Sequence, residues 1–174
     1  MSFYCISVLG GYEEKYEREL NESLKKENLK ESKVYLFKKK MKLKNGKEYE
    51  DMFFPGYVFL ETEVNDLKVL KKVSSGCKGF IRILPSNKNI SALNQPDLEI
   101  VKSILRFGET IDFVPVTFDE GDKIVILGGP LKNIPATVVS VNRRNKRVNV
   151  QLNFLNGVSV FGLTYQEIKK VEEE

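Results

Sequence analysis

Apolar and β-branched residues run from Phe3 to about Leu9 and stop at Gly10-Gly11, which predicts a first strand. Tyr12, Tyr16, Leu20 and Leu24 then recur at fourfold spacing with charge between them, so "YEEKYERELNESLKKENLK" predicts an amphipathic helix. The stretch "KVYLFKKKMKLKNGKEYEDMFFPGYVFLETE" holds two β-rich runs around Asn45-Gly46, a strong hairpin signal. Beyond it, "DLKVLKKVS" predicts a short helix and "GCKGFIRIL" a strand. "QPDLEIVKSILRF" predicts a last helix, with Pro96 near its first turn.

The pattern changes at Gly108. "GETIDFVPVTFDEGD" is acidic, carries Gly108, Pro115 and Gly121, and fits neither period, which predicts a linker over 108–117. Beyond it "DKIVILGG", "PATVVSVN", "RVNVQLNFL" and "VSVFGLTY" are short strand candidates, with "EIKKV" as a fifth. Strands this short and closely spaced suit a small barrel that protects its own edges. The expected architecture is an α+β domain over 1–107, a linker over 108–117 and an all-β barrel over 118–174.

Composition narrows the function classes. With 41% hydrophobic and 30% charged residues, the chain is globular rather than disordered. No apolar run approaches the roughly 18 residues of a membrane span, and no basic region precedes the first apolar stretch. A cytoplasmic protein without membrane association is expected. Histidine is absent, which removes Ser/His, Cys/His and ordinary zinc-hydrolase chemistry. Cys5 and Cys77 lack CxxC spacing and are expected as reduced thiols rather than metal ligands. Gly128-Gly129-Pro130 belongs to no phosphate-binding pattern, and no helix follows it to supply an anion site. Neither an enzyme nor a cofactor is expected, and the chain is expected to be monomeric.

Four motifs, in order, carry a resemblance. Phe3-Tyr4 followed by Gly11-Tyr12-Glu13, then "FFPGYVFLE", then "SSGCKGFIRI", then "GDKIVILGGPLKNIPATVVSVN" resemble the NusG family of transcription elongation factors over nearly the whole chain. The resemblance implies an α+β N-terminal NGN domain and an SH3-like KOW barrel. It also implies docking of the NGN domain on the clamp helices of the largest RNA polymerase subunit, with suppression of pausing, and recruitment of a further partner by the KOW domain. By carry-over, Phe3, Tyr4, Phe54, Pro55, Tyr57 and Phe59 are the polymerase-facing candidates. Aromatics on a sheet suit such a contact because they bring large area at low entropic cost. Successive strand residues point to opposite faces, however, so some of these side chains must enter the core. Phe80 is expected in the core. Leu131, where the family usually has Phe, and Ala136, where Gly is common, depart from the housekeeping pattern at its partner surface. With the basic "NRRNKR" they resemble specialised antitermination paralogues such as LoaP and RfaH.

The net charge of +4 gathers in two places. Arg143, Arg144, Lys146 and Arg147 crowd one predicted turn beside Asn142 and Asn145, and Lys123 and Lys132 extend the patch if the barrel brings their strands alongside. Arginine forks bridge phosphates, so the turn is a candidate RNA site for a hairpin loop, a bulge or a widened groove. A solvated turn that only discourages edge pairing has the same sequence. Lys38, Lys39, Lys40, Lys42 and Lys44 crowd the other hairpin, partly offset by Glu48, Glu50 and Asp51. The family geometry implies that this hairpin lies near upstream or non-template DNA as a phosphate contact; a solubilising hairpin fits the same residues. The reading is an elongation factor that promotes processive antitermination, recruited to chosen operons through nascent RNA such as a leader hairpin, with a ribosomal protein as a further partner. A general NusG-type factor coupling transcription to translation or termination, and a stand-alone KOW-type RNA-binding module, are the alternatives.

Overall fold

The computed structural model describes residues 1–169. The chain divides into two compact units, and the division is not a single cut: Met1–Phe37 and Phe54–Leu98 form the first, and Lys38–Phe53 joins the chain from Glu99 onward in the second.

The first unit is α+β. Its antiparallel sheet runs β2 (Lys33–Tyr35), β5 (Tyr57–Thr62), β1 (Ser2–Val8), β6 (Phe80–Ile83). Helix α1 (Glu13–Lys26) forms on the expected fourfold repeat and buries Tyr16, Leu20 and Leu24. Helix α2 (Leu67–Ser75) is capped by the Asp66 carboxylate, which accepts from the Lys68 and Val69 amides. The Tyr16 hydroxyl ties the helices together by donating to the Ser74 carbonyl at 3.0 Å. Phe37 lies edge-on to Phe54 and Phe59, and the ladder continues through Tyr35 to Phe3. Helix α3 (Gln95–Leu105) begins in this unit, passes into the second from Glu99, and opens on Asn94, whose side chain accepts from the Asp97 amide, with Pro96 in the first turn as expected.

Two motifs meet in this unit. The buried Glu13 carboxylate accepts the Gly56 amide at 2.9 Å, joining the start of α1 to the turn of "FFPG". Gly56 has φ +80, the conformation for which glycine is suited, and a β-carbon there would press on the Val8 carbonyl at 3.3 Å.

The second unit is β-rich. Its larger sheet runs β10 (Thr137–Asn142), β11 (Arg147–Phe154), β12 (Gly157–Glu167), β8 (Val114–Phe118), β9 (Ile124–Ile126), with β12 and β8 parallel. Its smaller sheet runs β4 (Glu48–Met52), β3 (Lys38–Lys42), β7 (Thr110–Ile111). Two expectations change here. Residues 108–117, read as a linker, carry β7 and most of β8, because both strands find non-local parallel partners. The fifth strand of the larger sheet is β8 rather than "EIKKV": β12 ends at Glu167, and residues 170–171 lie outside the described residues.

The β3–β4 hairpin closes through Leu43–Lys47, with Gly46 at φ +85 and the Leu43 amide donating to the Lys47 carbonyl. Asn45 is not left-handed, so the turn takes a longer form with one left-handed residue rather than the two-residue form. Hydrogen bonds and a ring contact fix the hairpin within the second unit. Lys39 Nζ donates to the Gly162 carbonyl at 2.7 Å, and the Lys42 amide to Thr164 Oγ1 at 3.2 Å. Arg147 Nη2 donates to the Lys42 carbonyl at 3.1 Å and the Tyr49 hydroxyl at 3.4 Å, and Phe53 stacks on Phe161.

Candidate nucleic-acid interface

The hairpin and the basic turn were separate surfaces in the sequence; the fold brings them to one cleft. A cavity of about 750 Å³ in the second unit is lined by Lys40, Lys42 and Lys44 of the hairpin and by Arg144, Asn145 and Lys146 of the turn. Thr164 and Tyr165 of β12 are buried beneath, and Lys169 adds a further cation.

The cations differ in what they can do. Lys40 faces two carboxylates, Glu48 at 3.3 Å and Asp112 at 3.9 Å, and lies over the Phe113 ring at 5.0 Å. It is shared between two acids that also line the cleft. Lys42, Lys44 and Arg144 are exposed and available to a polyanion. Lys146 is exposed, adopts φ 52, and lies 5.9 Å from the Tyr165 ring centre. Burial pushes the Tyr165 phenol up, with Arg143 pulling against it.

The other expected phosphate contacts are engaged elsewhere or lie off the cleft lining. Lys39 is half-buried, and burial holds its ammonium below the usual lysine value; Asp51 opposes that shift and Arg147 reinforces it. Arg147 clamps the hairpin rather than facing outward. Arg143 stacks over Phe118 at 3.8 Å and meets Asp122 at 3.3 Å, away from the cleft lining. Lys38 starts β3, where its amide donates to the Glu109 carbonyl. Lys123 and Lys132 are exposed but do not line the cleft; Lys132 Nζ donates to the Leu127 carbonyl at 3.3 Å.

In the first unit the aromatic set is largely core. Phe3, Tyr4, Phe54 and Phe59 are 5%, 5%, 3% and 0% exposed, so in this conformation their rings have no surface to offer. The strand is buried on both faces, which alternation alone does not reveal. Pro55 is exposed and Tyr57 partly so. Leu9 and Ile81, 50% and 42% exposed, are apolar surface residues that motif reasoning passed over. Leu9 follows Val8, whose amide donates to the Gly56 carbonyl, so it lies at the Pro55-Gly56 end of the sheet. Phe80 is half-buried. Leu131 is buried, so its departure from the family pattern alters the interior of the second unit rather than its surface.

Among the described residues, no group of His, Cys, Asp and Glu is placed to hold a metal ion, and no helix is long and apolar enough to cross a membrane. Cys5 and Cys77 are both buried and unbridged.

The family model described as transcription termination factor nusG matches residues 1–102. The chain belongs to the NusG family. Similar curated relatives include the transcription termination/antitermination protein NusG of Streptococcus pyogenes serotype M1, 26% identical over 131 residues, covering 74% of this chain and 71% of the relative. The protein of the same name from Pseudomonas aeruginosa is 24% identical over 176 residues, covering 97% and 98%. A solved structure of Thermotoga maritima NusG shares the fold, with a TM-score of 0.61, 18% identity and coverage of 98% and 97%. The α+β N-terminal NGN domain and the β-rich C-terminal part are thus those of a NusG-type transcription factor.

Proposed function

We propose that this NusG-family chain binds RNA polymerase and promotes processive antitermination on chosen operons, to which nascent RNA recruits it. The observation that carries the recruitment step is the cationic cleft, where the hairpin tip and the basic turn present exposed lysines and an arginine together. Phosphate contacts supply most of the affinity and position the nucleic acid. In the first unit, polymerase contact through the clamp helices falls to the accessible members of the aromatic motif, Pro55 and Tyr57, with Leu9 and Ile81 as further exposed apolar residues of the unit. Tethering the two activities in one chain raises the effective concentration of the second contact once the first is made, so modest RNA affinity suffices for recruitment. The basic turn is the feature aligned with specialised paralogues such as LoaP and RfaH.

Single-round transcription through an intrinsic terminator tests this, on templates with and without the leader upstream of the neighbouring genes. Readthrough that needs both the protein and the leader is the expected result. Effects equal on both templates would instead support general NusG-type duty.

A further inference from the structure

The recruitment reading leaves open which form of nucleic acid the cleft accepts, and the inference here rests on that reading. We propose that the cleft is a single-strand site, in which a short unpaired stretch of phosphodiester chain is gripped jointly by the hairpin tip and the Arg144–Lys146 turn. The site is concave and about 750 Å³, within the roughly 300–1,000 Å³ range of pockets that enclose a compact ligand. A duplex presents paired bases behind two backbones and is recognised by proteins that span its grooves from outside. An unpaired strand can enter, because its bases are free to splay from the backbone.

The lining separates charge from hydrogen-bonding capacity. Lys40 is shared by Glu48 and Asp112, and Glu167 also lines the cleft; against these three carboxylates, Lys42 and Lys44 of the hairpin, Arg144 and Lys146 of the turn, and Lys169 leave the lining net positive. Asn145, between those two turn cations in sequence, also lines the cleft and adds a polar group to it. The half-buried Phe113 adds an apolar surface. Both sides of the grip are fixed beforehand. The hairpin is held by Arg147, Thr164 and Gly162, and the turn by the Tyr165 amide donating to the Lys146 carbonyl. The backbone on both sides is therefore ordered before binding, and the exposed lysine and arginine side chains are what binding must still immobilise.

The test uses the full chain and fluorescence anisotropy with a labelled, non-self-complementary oligoribonucleotide of about twelve residues, within the range that single-strand sites cover. The same strand annealed to its complement and a DNA strand of the same sequence are the other probes. We expect the single strand to bind at least tenfold tighter than the duplex. We expect Lys42→Ala/Lys44→Ala and Arg144→Ala each to weaken it, with the salt slope falling by about 0.7 for each phosphate contact removed. Comparison of the RNA and DNA strands identifies whether transcript or displaced DNA is the source. Equal or tighter duplex binding, or a hairpin variant that binds like wild type, overturns the single-strand site. If leader-dependent readthrough survives in the hairpin variant, this inference fails while the recruitment reading stands. If single-strand binding holds but readthrough ignores the leader, the recruitment reading fails alone.

Discussion

Phe53 stacks on Phe161 with ring centres 4.8 Å apart and planes at 29°, while its chain neighbour Phe54 turns edge-on to Phe37. Two consecutive aromatics thus belong to two different cores. Phe53 anchors the base of the hairpin in the second unit, and it is fully buried. Phe53→Ala should cost about 3–5 kcal/mol through lost contacts and a residual cavity. Amide hydrogen exchange should locate the loss in β3, β4 and β12 and leave β1 and β5 protected; uniform acceleration would contradict the assignment.

Arg147 holds the hairpin from the barrel side through the Lys42 carbonyl and the Tyr49 hydroxyl. Arg147→Ala should accelerate amide exchange over residues 40–50 and weaken oligonucleotide binding, although Arg147 is not among the cleft-lining cations. Arg147→Lys should recover only part of either effect, because an ammonium lacks the second nitrogen, Nη1, with which the guanidinium also meets Met41 Sδ. Full recovery by lysine would mean that charge alone suffices.

Lys39 carries its ammonium in a half-buried site that disfavours the charged form. Its folded value lies below the ordinary 10.5, so between the two values the unfolded chain binds more protons than the folded one. Stability from this group therefore rises with pH across that window. Measured by urea unfolding from neutral pH to about 10.5, wild type should gain stability relative to Lys39→Met. A constant difference would show that the site does not desolvate the amine.

Glu13 supplies the acceptor for the Gly56 amide from a buried position. Glu13→Ala should destabilise the first unit by about 1–3 kcal/mol, since it leaves that donor without its partner. Glu13→Gln keeps a carbonyl oxygen and should cost less. Thermal unfolding of the two variants separates them; equal losses would point to packing rather than the hydrogen bond.

Much of this architecture was legible in the sequence. The fourfold spacing from Tyr12 to Leu24 gave α1, Asn45-Gly46 gave the hairpin, and the four motifs gave the family. What local pattern lacked was partner choice. The run from Lys33 to Glu63 reads as continuous β-rich chain, yet it breaks at Leu36-Phe37 and again at Phe53–Gly56, and alternate pieces join different sheets. Nothing in a period of two says which sheet a strand will join. The short strands β7 and β8 hid in a Gly- and Pro-bearing acidic stretch because each has a parallel partner distant in sequence, although β8 also pairs locally with β9. The site followed the same logic. The basic residues were visible singly, but their convergence depends on Arg147 and Thr164 receiving the hairpin.

The thiols offer a chemical check on burial. Desolvation, reinforced by Glu19, pushes the Cys77 thiol up to about 11, and burial pushes Cys5 up further. At pH 8 only about a thousandth of Cys77 would be thiolate, so both should resist an aromatic disulfide reagent in the folded chain. Both should react promptly in denaturant. Rapid labelling of the native protein would place one of them at the surface.

The excursion of Lys38–Phe53 into the second unit changes what counts as an exchangeable module. A chimera cut near residue 108 would take the barrel from one parent and its hairpin from another, leaving Phe161, Gly162 and Arg147 to receive a foreign hairpin. Recombination between relatives should therefore succeed when residues 38–53 travel with the C-terminal segment. Although they lie far apart in the gene, these two stretches are expected to be inherited as one piece.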